Sequence, residues 1–257
     1  MRLIKPLVVV EEDLDMLMPN GETKATHMLK KIEAFTRKCY KSEGKATGDS
    51  YKTFLKAISQ TKRHTGILEH ASVSVTFITD RGVSHESVRH RMASYLQEST
   101  RYCDYSADGK HSGVTYILPP WVKPGGIGWD SFLYDLENDD KRYNRYRQLG
   151  WPAEQARYWL PVGIKTEYAC TMNLGGWWNF LNKRTAPEAH PQIRQLAIPL
   201  LRYFNRYFPE FFSNIAVKEA PVPGMFDHKG NFYDEAKLVV NPYYDEVCPE
   251  VVDCKGM

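Results

Sequence analysis

Residues 72–79 alternate polar and apolar side chains, and this alternation restricts the fold more than any other feature of the chain. Val73, Val75 and Phe77 share one side of an extended backbone, because successive side chains of a β-strand point to opposite faces. The pattern therefore predicts a half-buried strand. A second strand is predicted at Lys165–Asn173. We therefore expect a sheet in this protein.

Several other segments have the apolar spacing of helices, with apolar residues every three or four positions. These predicted helices cover residues 23–40, 51–61 and 193–207. Residues 129–149 are predicted to be helical because they are dense in charge and Tyr, and Pro152 predicts the start of a short helix at 153–160. Asp80 is predicted to cap a further helix that runs to Arg91. Another helix is predicted from Trp177, after the break at Gly175 and Gly176. A proline at position 199 predicts a kink in the last long helix.

The remaining segments lack a clear period. Residues 3–10 form a short apolar segment, and residues 102–128 are rich in Gly, Pro, Ser and Asp. The latter are predicted to form a long loop with a short extended piece at 116–118. The tail at 221–257 is predicted to wrap the surface. Since the chain has no repeat, low-complexity tract or linker, the simplest organisation is a single α+β domain over residues 1–257.

Composition excludes several classes of protein. The chain has 257 residues, enough to bury a core, and its 34 Lys and Arg against 31 Asp and Glu give a net charge of only +3. That balance does not indicate a nucleic-acid or membrane partner. No apolar run approaches the ~18 residues of a membrane span, and no export signal is found. An aromatic content of 13% indicates interfaces or flat ligands in addition to a core.

The five cysteines are odd in number and widely scattered. This favours reduced thiols in a reducing compartment, so we expect a cytoplasmic protein. Cys248 and Cys254, together with His228, are an alternative metal site, but no Cys-x-x-Cys pair supports it. We therefore expect no metal. No cysteine has the setting of a catalytic nucleophile.

Arginine, histidine, glutamine and hydroxyl side chains are concentrated in residues 85–102, where a predicted helix meets a loop. Arginine presents a planar fork of donors that suits phosphate, and a Gln or Glu side chain can read the hydrogen-bonding edge of a base. The segment is therefore a candidate site for an anionic nucleotide. For an Arg-His-Arg triplet alone, the alternative is a solvated helix face with scattered ion pairs.

The spacing of the whole segment favours the nucleotide site. Arg89, His90 and Arg91 are followed after seven residues by Ser99, which resembles the RHR-x7-S signature of the flavin-dependent thymidylate synthases. Further blocks that resemble this family, in the same order along the chain, are residues 64–70, 152–161 and 173–184. The resemblance covers about residues 30–210. It leaves a tail at about residues 218–257 with no assigned role.

The resemblance implies a fold and an activity. The expected fold is α+β, with a central, mostly antiparallel sheet flanked by helices, in a homotetramer whose active sites are shared between subunits. The expected reaction is the reductive methylation of dUMP to dTMP without an enzymic nucleophile. Methylenetetrahydrofolate would donate the carbon, FAD would carry the methylene and the hydride, and NADPH would be the reductant. No nucleic-acid or membrane partner is expected.

The resemblance also implies a role for each matched residue. The expected FAD contacts are His64, Thr65, Arg89, His90, Arg91, Gln97, Asn173, Leu174, Gly175 and Asn179. The expected dUMP contacts are Glu86, Ser87, Val88, Arg89, Gln97, Glu98, Ser99, Thr100, Arg101, Arg157 and Arg184. Arg157 and Arg184 would come from a second polypeptide, and Arg101 would anchor the phosphate. Arg184 is the expected catalytic residue, because its charge would stabilise the negative charge that develops on the pyrimidine as carbon 5 becomes nucleophilic.

The chain departs from the family pattern at two places. Glu188 stands where the family usually has a histidine, and no role is assigned to the nearby His190. Glu86 and Gln97 are exchanged relative to some members, with one acid and one amide kept. This exchange motivates an alternative, an enzyme of the same fold that acts on another pyrimidine deoxynucleotide or makes a hydroxymethyl product. An alternative of another class is a nucleic-acid-binding protein that uses the arginines of residues 85–102 on phosphates.

Three aromatic residues without an assigned role have competing interpretations. For the Trp177–Trp178 pair, packing in the core or between subunits is favoured over stacking on the flavin. Tyr40 is interpreted either as a core residue or as one that reaches the substrate of a neighbouring subunit.

Overall fold

The computed structural model describes residues 1–107, 113–216, 235–241 and 247–254. Its strands are β1 (Arg2–Ile4), β2 (Leu7–Val10), β3 (Ser72–Asp80), β4 (Ser94–Gln97), β5 (Thr115–Ile117), β6 (Lys165–Asn173) and β7 (Lys237–Val240). Its α-helices are α1 (Lys24–Tyr40), α2 (Ser50–Lys56), α3 (Arg81–Ser87), α4 (Trp129–Gln148), α5 (Ala153–Ala156), α6 (Leu174–Arg184), α7 (Pro191–Tyr207) and α8 (Pro209–Phe212). Single turns of other helix types follow α2 at Ala57–Thr61 and α5 at Arg157–Trp159, and two more lie at Glu43–Lys45 and Thr65–His70.

Five of the described strands form one sheet in the order β4-β6-β3-β2-β7. The pairs β4/β6, β6/β3 and β3/β2 are antiparallel, and only β2/β7 is parallel. The longest pairing joins the two strands that the sequence predicts, from Ser72 opposite Asn173 to Asp80 opposite Lys165. The predicted α+β class with a mostly antiparallel sheet is therefore confirmed.

One face of this sheet carries the main hydrophobic core. Val73, Val75 and Phe77 are at most 1% exposed, as their alternation predicts, and they belong to one cluster with residues of α6 and α7. Trp177 lies in this cluster, and its indole N–H donates to the Val73 carbonyl at 2.8 Å. The packing interpretation of Trp177 is therefore confirmed. A second cluster lies between β1, β5 and α4.

The predicted helices are found with small changes at their ends. Thr23 caps α1, since its hydroxyl accepts from the Thr26 N–H at 3.2 Å. The predicted helix at 51–61 is shorter in α-form, because α2 ends at Lys56 and one π-helical turn follows. Residues 153–160 form only one α-helical turn and then a 3-10 turn. Helix α7 continues through Pro199.

The predicted start of α6 at Trp177 is wrong, because the helix begins at Leu174 and includes both glycines. The Asn173 side chain accepts from the Gly176 N–H at 2.7 Å and caps the helix. A Cβ at position 176 would lie 3.2 Å from the Met92 carbonyl oxygen. Gly176 is therefore a close-packing residue inside the first turn, whereas the sequence alone suggests a helix break.

The predicted helix from Asp80 to Arg91 is too long, and an edge strand in the motif was missed. Asp80 caps α3 as predicted, accepting from the Val83 N–H at 2.9 Å, but the helix ends at Ser87. Residues 94–97 then form β4, which pairs with β6. A four-residue strand on a sheet edge has too few positions to show a period, so its partner β6 defines it.

Three other strands, β1, β2 and β7, were not predicted as strands from the sequence. The apolar segment at residues 3–10 divides into β1 and β2 on either side of Pro6, and β2 lies between β3 and β7 in the sheet. The tail contributes β7, where no element was predicted; residues 217–234, including His228 of the alternative metal site, lie outside the described part. No helix in the described ranges is long and apolar enough to cross a membrane.

Candidate active site

A basic cleft of about 290 Å³ lies between the turn after α3 and one face of α6. The residues that line it are Arg89, His90, Arg91, Met92, Met172, Gly176, Asn179, Lys183 and Arg184. Gly176, Asn179 and Lys183 are three and four residues apart, so they lie on the same face of the helix. The fold thus brings the Arg-His-Arg motif to the third matched block, 94 residues away between His90 and Arg184.

Arg184 is held at the cleft by three hydrogen bonds to its own chain. Its Nη1 donates to Glu86 Oε2 at 2.8 Å, and its Nη2 donates to the Glu86 carbonyl at 3.0 Å. Its Nε donates to His90 Nε2 at 3.0 Å. An arginine bound at three of its nitrogens has little rotational freedom, so its charge points in one direction.

His90 is a buried, neutral member of this arrangement. Burial, followed by the nearby charges of Arg184 and Lys183, lowers the pKa of His90 from 6.5 to about 4. Its ring packs on Phe180, with ring centroids 4.9 Å apart. A neutral imidazole carries no charge for a pyrophosphate, so the expected contact of His90 with FAD has no support from charge in this environment.

We expect stability to fall between pH 6.5 and pH 4 through His90. The folded-state pKa is about 4 and the ordinary value is 6.5. The unfolded chain therefore binds more protons in this window, and each pKa unit corresponds to about 1.4 kcal/mol. The loss is absent above pH 6.5 and complete below pH 4. Urea unfolding at several pH values, in parallel with His90→Gln, measures this component. The same pH dependence in both proteins would contradict it.

The side chains of Ser87 and Gln97 turn into the protein and do not line the cleft. The Ser87 hydroxyl lies 2.6 Å from the Tyr168 hydroxyl and is buried. The Gln97 Nε2 donates to the hydroxyls of Ser84 at 2.8 Å and Thr166 at 3.0 Å. This gives a physical reason for the exchanged pair: an amide at 97 can donate to two hydroxyls, whereas an acid at 86 can pair with Arg184.

The expected substrate residues after β4 form a separate group. Glu98 is bound to Lys165 at 2.8 Å and to the Tyr105 hydroxyl at 2.6 Å, which occupies both carboxylate oxygens. Arg101 is exposed and pairs with Glu154 at 2.9 Å. These side chains do not line the cleft of Arg184.

Two further members of this group meet each other. Thr100 is buried, and its hydroxyl accepts from Arg157 Nη1 at 3.4 Å. The loop that carries Thr100 is fixed to α4 by Asp104, whose carboxylate pairs with Arg147 at 2.7 Å. That guanidinium lowers the pKa of Asp104 to about 2. The Ser99 hydroxyl accepts from the Arg101 N–H at 3.2 Å, so it shapes the turn. Val88 is exposed at the end of α3.

The expected FAD residues near position 64 border another cavity, of about 380 Å³. Thr65 lines it with Arg63 and Trp178. His64 is exposed, and its Nδ1 lies 2.7 Å from the Tyr40 hydroxyl. Tyr40 is 39% exposed, so its interpretation as a core residue is wrong.

The members of the third matched block have different surroundings. Leu174 is 0% exposed and packs in the core. Asn173 caps α6, and Gly175 lies over Leu68, where a Cβ would be 3.6 Å from that side chain. Of the expected FAD residues in this block, only Asn179 lines the basic cleft.

Lys183 and Met92 are cleft residues that the sequence reasoning missed. Helical spacing could have identified Lys183, because it lies four residues after Asn179 and seven after Gly176. No local pattern marks Met92. It reaches the cleft because the turn after α3 passes over the first turn of α6, where the Met92 carbonyl approaches Gly176.

The cleft fits the phosphates of a dinucleotide. In the described part of the chain, no acidic group lies within ion-pair distance of Arg89, Arg91 or Lys183. Three uncompensated positive charges in a small cleft attract an anion, and guanidinium forks match phosphate oxygens. Arg89, Arg91 and Lys183 are therefore the residues that could hold the pyrophosphate of FAD.

The fold and the cleft define an α+β protein with a basic cleft whose charge suits an anionic ligand, and comparison with known proteins narrows this class. The family model described as thymidylate synthase complementing protein matches residues 23–210. Flavin-dependent thymidylate synthase from Geobacter sulfurreducens is 32% identical over 188 residues, which cover 68% of this chain and 77% of that enzyme. The enzyme of the same name from Sulfolobus acidocaldarius is 34% identical over 175 residues, 66% of this chain and 63% of that enzyme. The chain belongs to the family of flavin-dependent thymidylate synthases.

A solved structure shares the fold. It is the crystal structure of thymidylate synthase X from Helicobacter pylori with FAD and dUMP, with a TM-score of 0.61 and 20% sequence identity. The match covers 83% of this chain and 99% of that one. The family resemblance read from the sequence is thereby confirmed, together with its fold.

Proposed function

We propose that this protein catalyses the reductive methylation of dUMP to dTMP, using methylenetetrahydrofolate as carbon donor, FAD as the carrier of methylene and hydride, and NADPH as reductant. The observation that carries this proposal is the guanidinium of Arg184, which Glu86 and His90 fix at a basic cleft. The names of the relatives and the FAD and dUMP in the Helicobacter structure support it.

Arg184 is the proposed catalytic residue. A guanidinium has five N–H groups, and Glu86 and His90 take three of them here. One N–H is left on each terminal nitrogen, which gives two donors for a pyrimidine carbonyl. As carbon 5 becomes nucleophilic, negative charge spreads to that carbonyl, and a charge already fixed in place stabilises it without reorganisation.

The other cleft residues are proposed to bind FAD. Arg89, Arg91 and Lys183 would neutralise its phosphates, and Asn179 would offer an amide on the same helix face as Lys183. When bound, FAD supplies the redox and one-carbon-transfer chemistry. The protein places and orients the ligands.

The thiols of the chain support a reaction without an enzymic nucleophile. Cys170 lies on β6 and is buried, and burial raises its pKa to about 12, so it stays protonated at neutral pH. All five cysteines are free. Five cysteines without a disulfide support the proposal that the protein functions in a reducing compartment, the cytoplasm.

The active site is proposed to be shared between subunits of a homotetramer. Within one chain, Arg184 contacts Glu86, whereas Arg101 and Arg157 lie near Thr100 and Glu154 and do not line the same cleft. We infer that the Arg101 and Arg157 side of one subunit completes the cleft of another, with Arg101 on the phosphate of dUMP. In this arrangement Arg157 comes from a second polypeptide, as expected from the sequence. Arg184, in contrast, belongs to the same subunit as the Glu86 that it contacts.

A tritium-release assay tests the proposed function. The purified protein is supplied with dUMP labelled at carbon 5, FAD, methylenetetrahydrofolate and NADPH, and the product is identified by mass spectrometry. We expect tritium release and dTMP. No release with every co-substrate present would overturn the proposal.

The exchange of Glu86 and Gln97 favours one alternative, an enzyme of the same fold that acts on another pyrimidine deoxynucleotide or makes a hydroxymethyl product. The same assay tests this alternative. Glu86 places a carboxylate where some relatives have an amide, and it bonds directly to the catalytic arginine. A hydroxymethyl product, or turnover only with another pyrimidine deoxynucleotide, would show that this exchange changes the reaction.

A further inference from the structure

The hydrogen bond between Arg184 and His90 defines the chemical state of the histidine. A guanidinium only donates, so His90 Nε2 must accept at 3.0 Å, and the proton of the neutral ring is then on Nδ1. A protonated imidazole has no lone pair for this bond. The neighbouring positive charges of Lys183 and Arg184 favour the neutral form further, in agreement with the lowered pKa.

The backbone and the ring of His90 are both fixed. The Tyr95 hydroxyl donates to the Ser87 carbonyl at 2.7 Å and also lies 3.1 Å from the His90 carbonyl, so it holds the turn after α3. The imidazole packs on Phe180, one helical turn before Arg184 on α6. The acceptor nitrogen is thus held on two sides before any ligand binds.

Glu86 alone would not determine the orientation of the guanidinium. It binds Nη1 and Nη2, the two ends of the fork, and a fork bound at its ends can still swing about that line. The bond from Nε to His90 adds a third fixed point outside that line and removes this freedom. Glu86 and His90 together therefore fix the direction of the two remaining N–H groups of Arg184.

We propose that His90 is a positioning residue for Arg184, which orients the guanidinium toward the pyrimidine, and that it is not a contact of the flavin phosphates. This inference rests on the proposed function, because it assumes that Arg184 acts on dUMP. It assigns the outer members of the Arg-His-Arg motif to the dinucleotide and the middle member to the substrate.

Two substitutions in the FAD-loaded enzyme test this proposal. His90→Leu keeps an apolar contact for Phe180 and removes the acceptor, whereas His90→Gln keeps an acceptor near the position of Nε2. We expect His90→Leu to weaken dUMP binding and to lower kcat by about tenfold each, with the dissociation constant of FAD within twofold of the unsubstituted value. His90→Gln should restore most of both. His27→Leu, at an exposed histidine of α1, is the matched control.

A double-mutant cycle separates positioning from a general structural role. Lysine at position 184 keeps the charge but has no Nε–H for His90. The effect of His90→Leu on the dissociation constant of dUMP should therefore fall below twofold in the Arg184→Lys protein. Equal effects in both backgrounds, or a loss of FAD affinity with unchanged dUMP binding, would overturn the proposal.

Other outcomes are also decisive. If His90→Leu does not fold, His90→Asn replaces it in the cycle, because the shorter amide does not reach Nε. If the unsubstituted enzyme binds no dUMP, the proposed function fails, and the positioning role fails with it. If dUMP binds and is converted but the cycle is additive, only the positioning role fails.

Discussion

Replacing Arg184 by alanine is expected to lower turnover by about 10²–10³-fold while FAD stays bound. The substitution removes the charge that we propose acts on the pyrimidine, and it leaves Arg89, Arg91 and Lys183 in the cleft for the phosphates. It also leaves the Glu86 carboxylate without its partner at 2.8 Å. Tritium release gives the rate, and flavin absorbance after gel filtration gives the bound FAD.

A matched substitution controls for the loss of an arginine as such. Arg206→Ala removes an exposed arginine whose ion pair with Asp15 is long, at 3.8 Å, and turnover should stay within twofold. Loss of flavin from Arg184→Ala with retained dUMP binding would show that Arg184 serves the cofactor. Normal turnover would remove it from the mechanism.

Replacing Trp177 by alanine is expected to destabilise the protein by about 3–5 kcal/mol. The side chain is 0% exposed, and its ring lies 5.6 Å from the rings of both Phe180 and Phe204. The change would open a cavity under the sheet and leave the Val73 carbonyl without its 2.8 Å partner. The free energy of unfolding from denaturant titration measures this loss.

Trp121→Ala is the control for Trp177→Ala. Trp121 is 45% exposed in the loop before α4, and we expect its loss to cost less than about 1 kcal/mol. A similar loss of unfolding free energy in both variants would mean that the core near α6 does not stabilise the protein more than an exposed loop does. Because α6 carries Asn179, Lys183 and Arg184, weakening of its packing should also loosen FAD binding.

Long elements with their own period were predictable from the sequence. Helices α1 and α7 have 17 residues each, enough to repeat an apolar stripe several times. Strand β3 has nine residues, and its alternation identified Val73, Val75 and Phe77 correctly as buried, although Ile78–Asp80 at its end are buried as well. For such elements the local pattern and the tertiary environment agree, because the face that is apolar is the face that is buried.

Short or shared elements were not predictable in the same way. Strands β4 and β7 have four residues each, and they exist because β6 and β2 offer free edges. The two glycines at 175 and 176 read as a break in isolation, although Asn173 caps a helix that includes them. In each case the deciding partner is distant in sequence or acts through packing.

The candidate site was also predictable from the sequence only in part. The spacing of Arg89, His90, Arg91 and Ser99, together with the three further matching blocks, predicted the family, which the comparisons confirm, and an anionic nucleotide as the class of ligand. Residue types and spacing did not reveal that the arginines and the histidine of this motif have different surroundings. The resemblance gave His90 the same expected role as the two arginines, a contact with FAD, whereas burial and the charge of Arg184 lower its pKa and favour the neutral ring.

The sequence by itself determined the class of fold, the family and the functional groups available for catalysis and binding. The helices and strands follow from periods of two to four residues, and the family follows from residue types and the spacing of motifs. The tertiary structure decided which groups meet. Glu86, His90 and Arg184 come together only when α3 and α6 pack on one sheet, across up to 98 residues of chain. Hydrogen-bond partners and pKa values depend on that packing, since burial and neighbouring charge arise only in the folded chain.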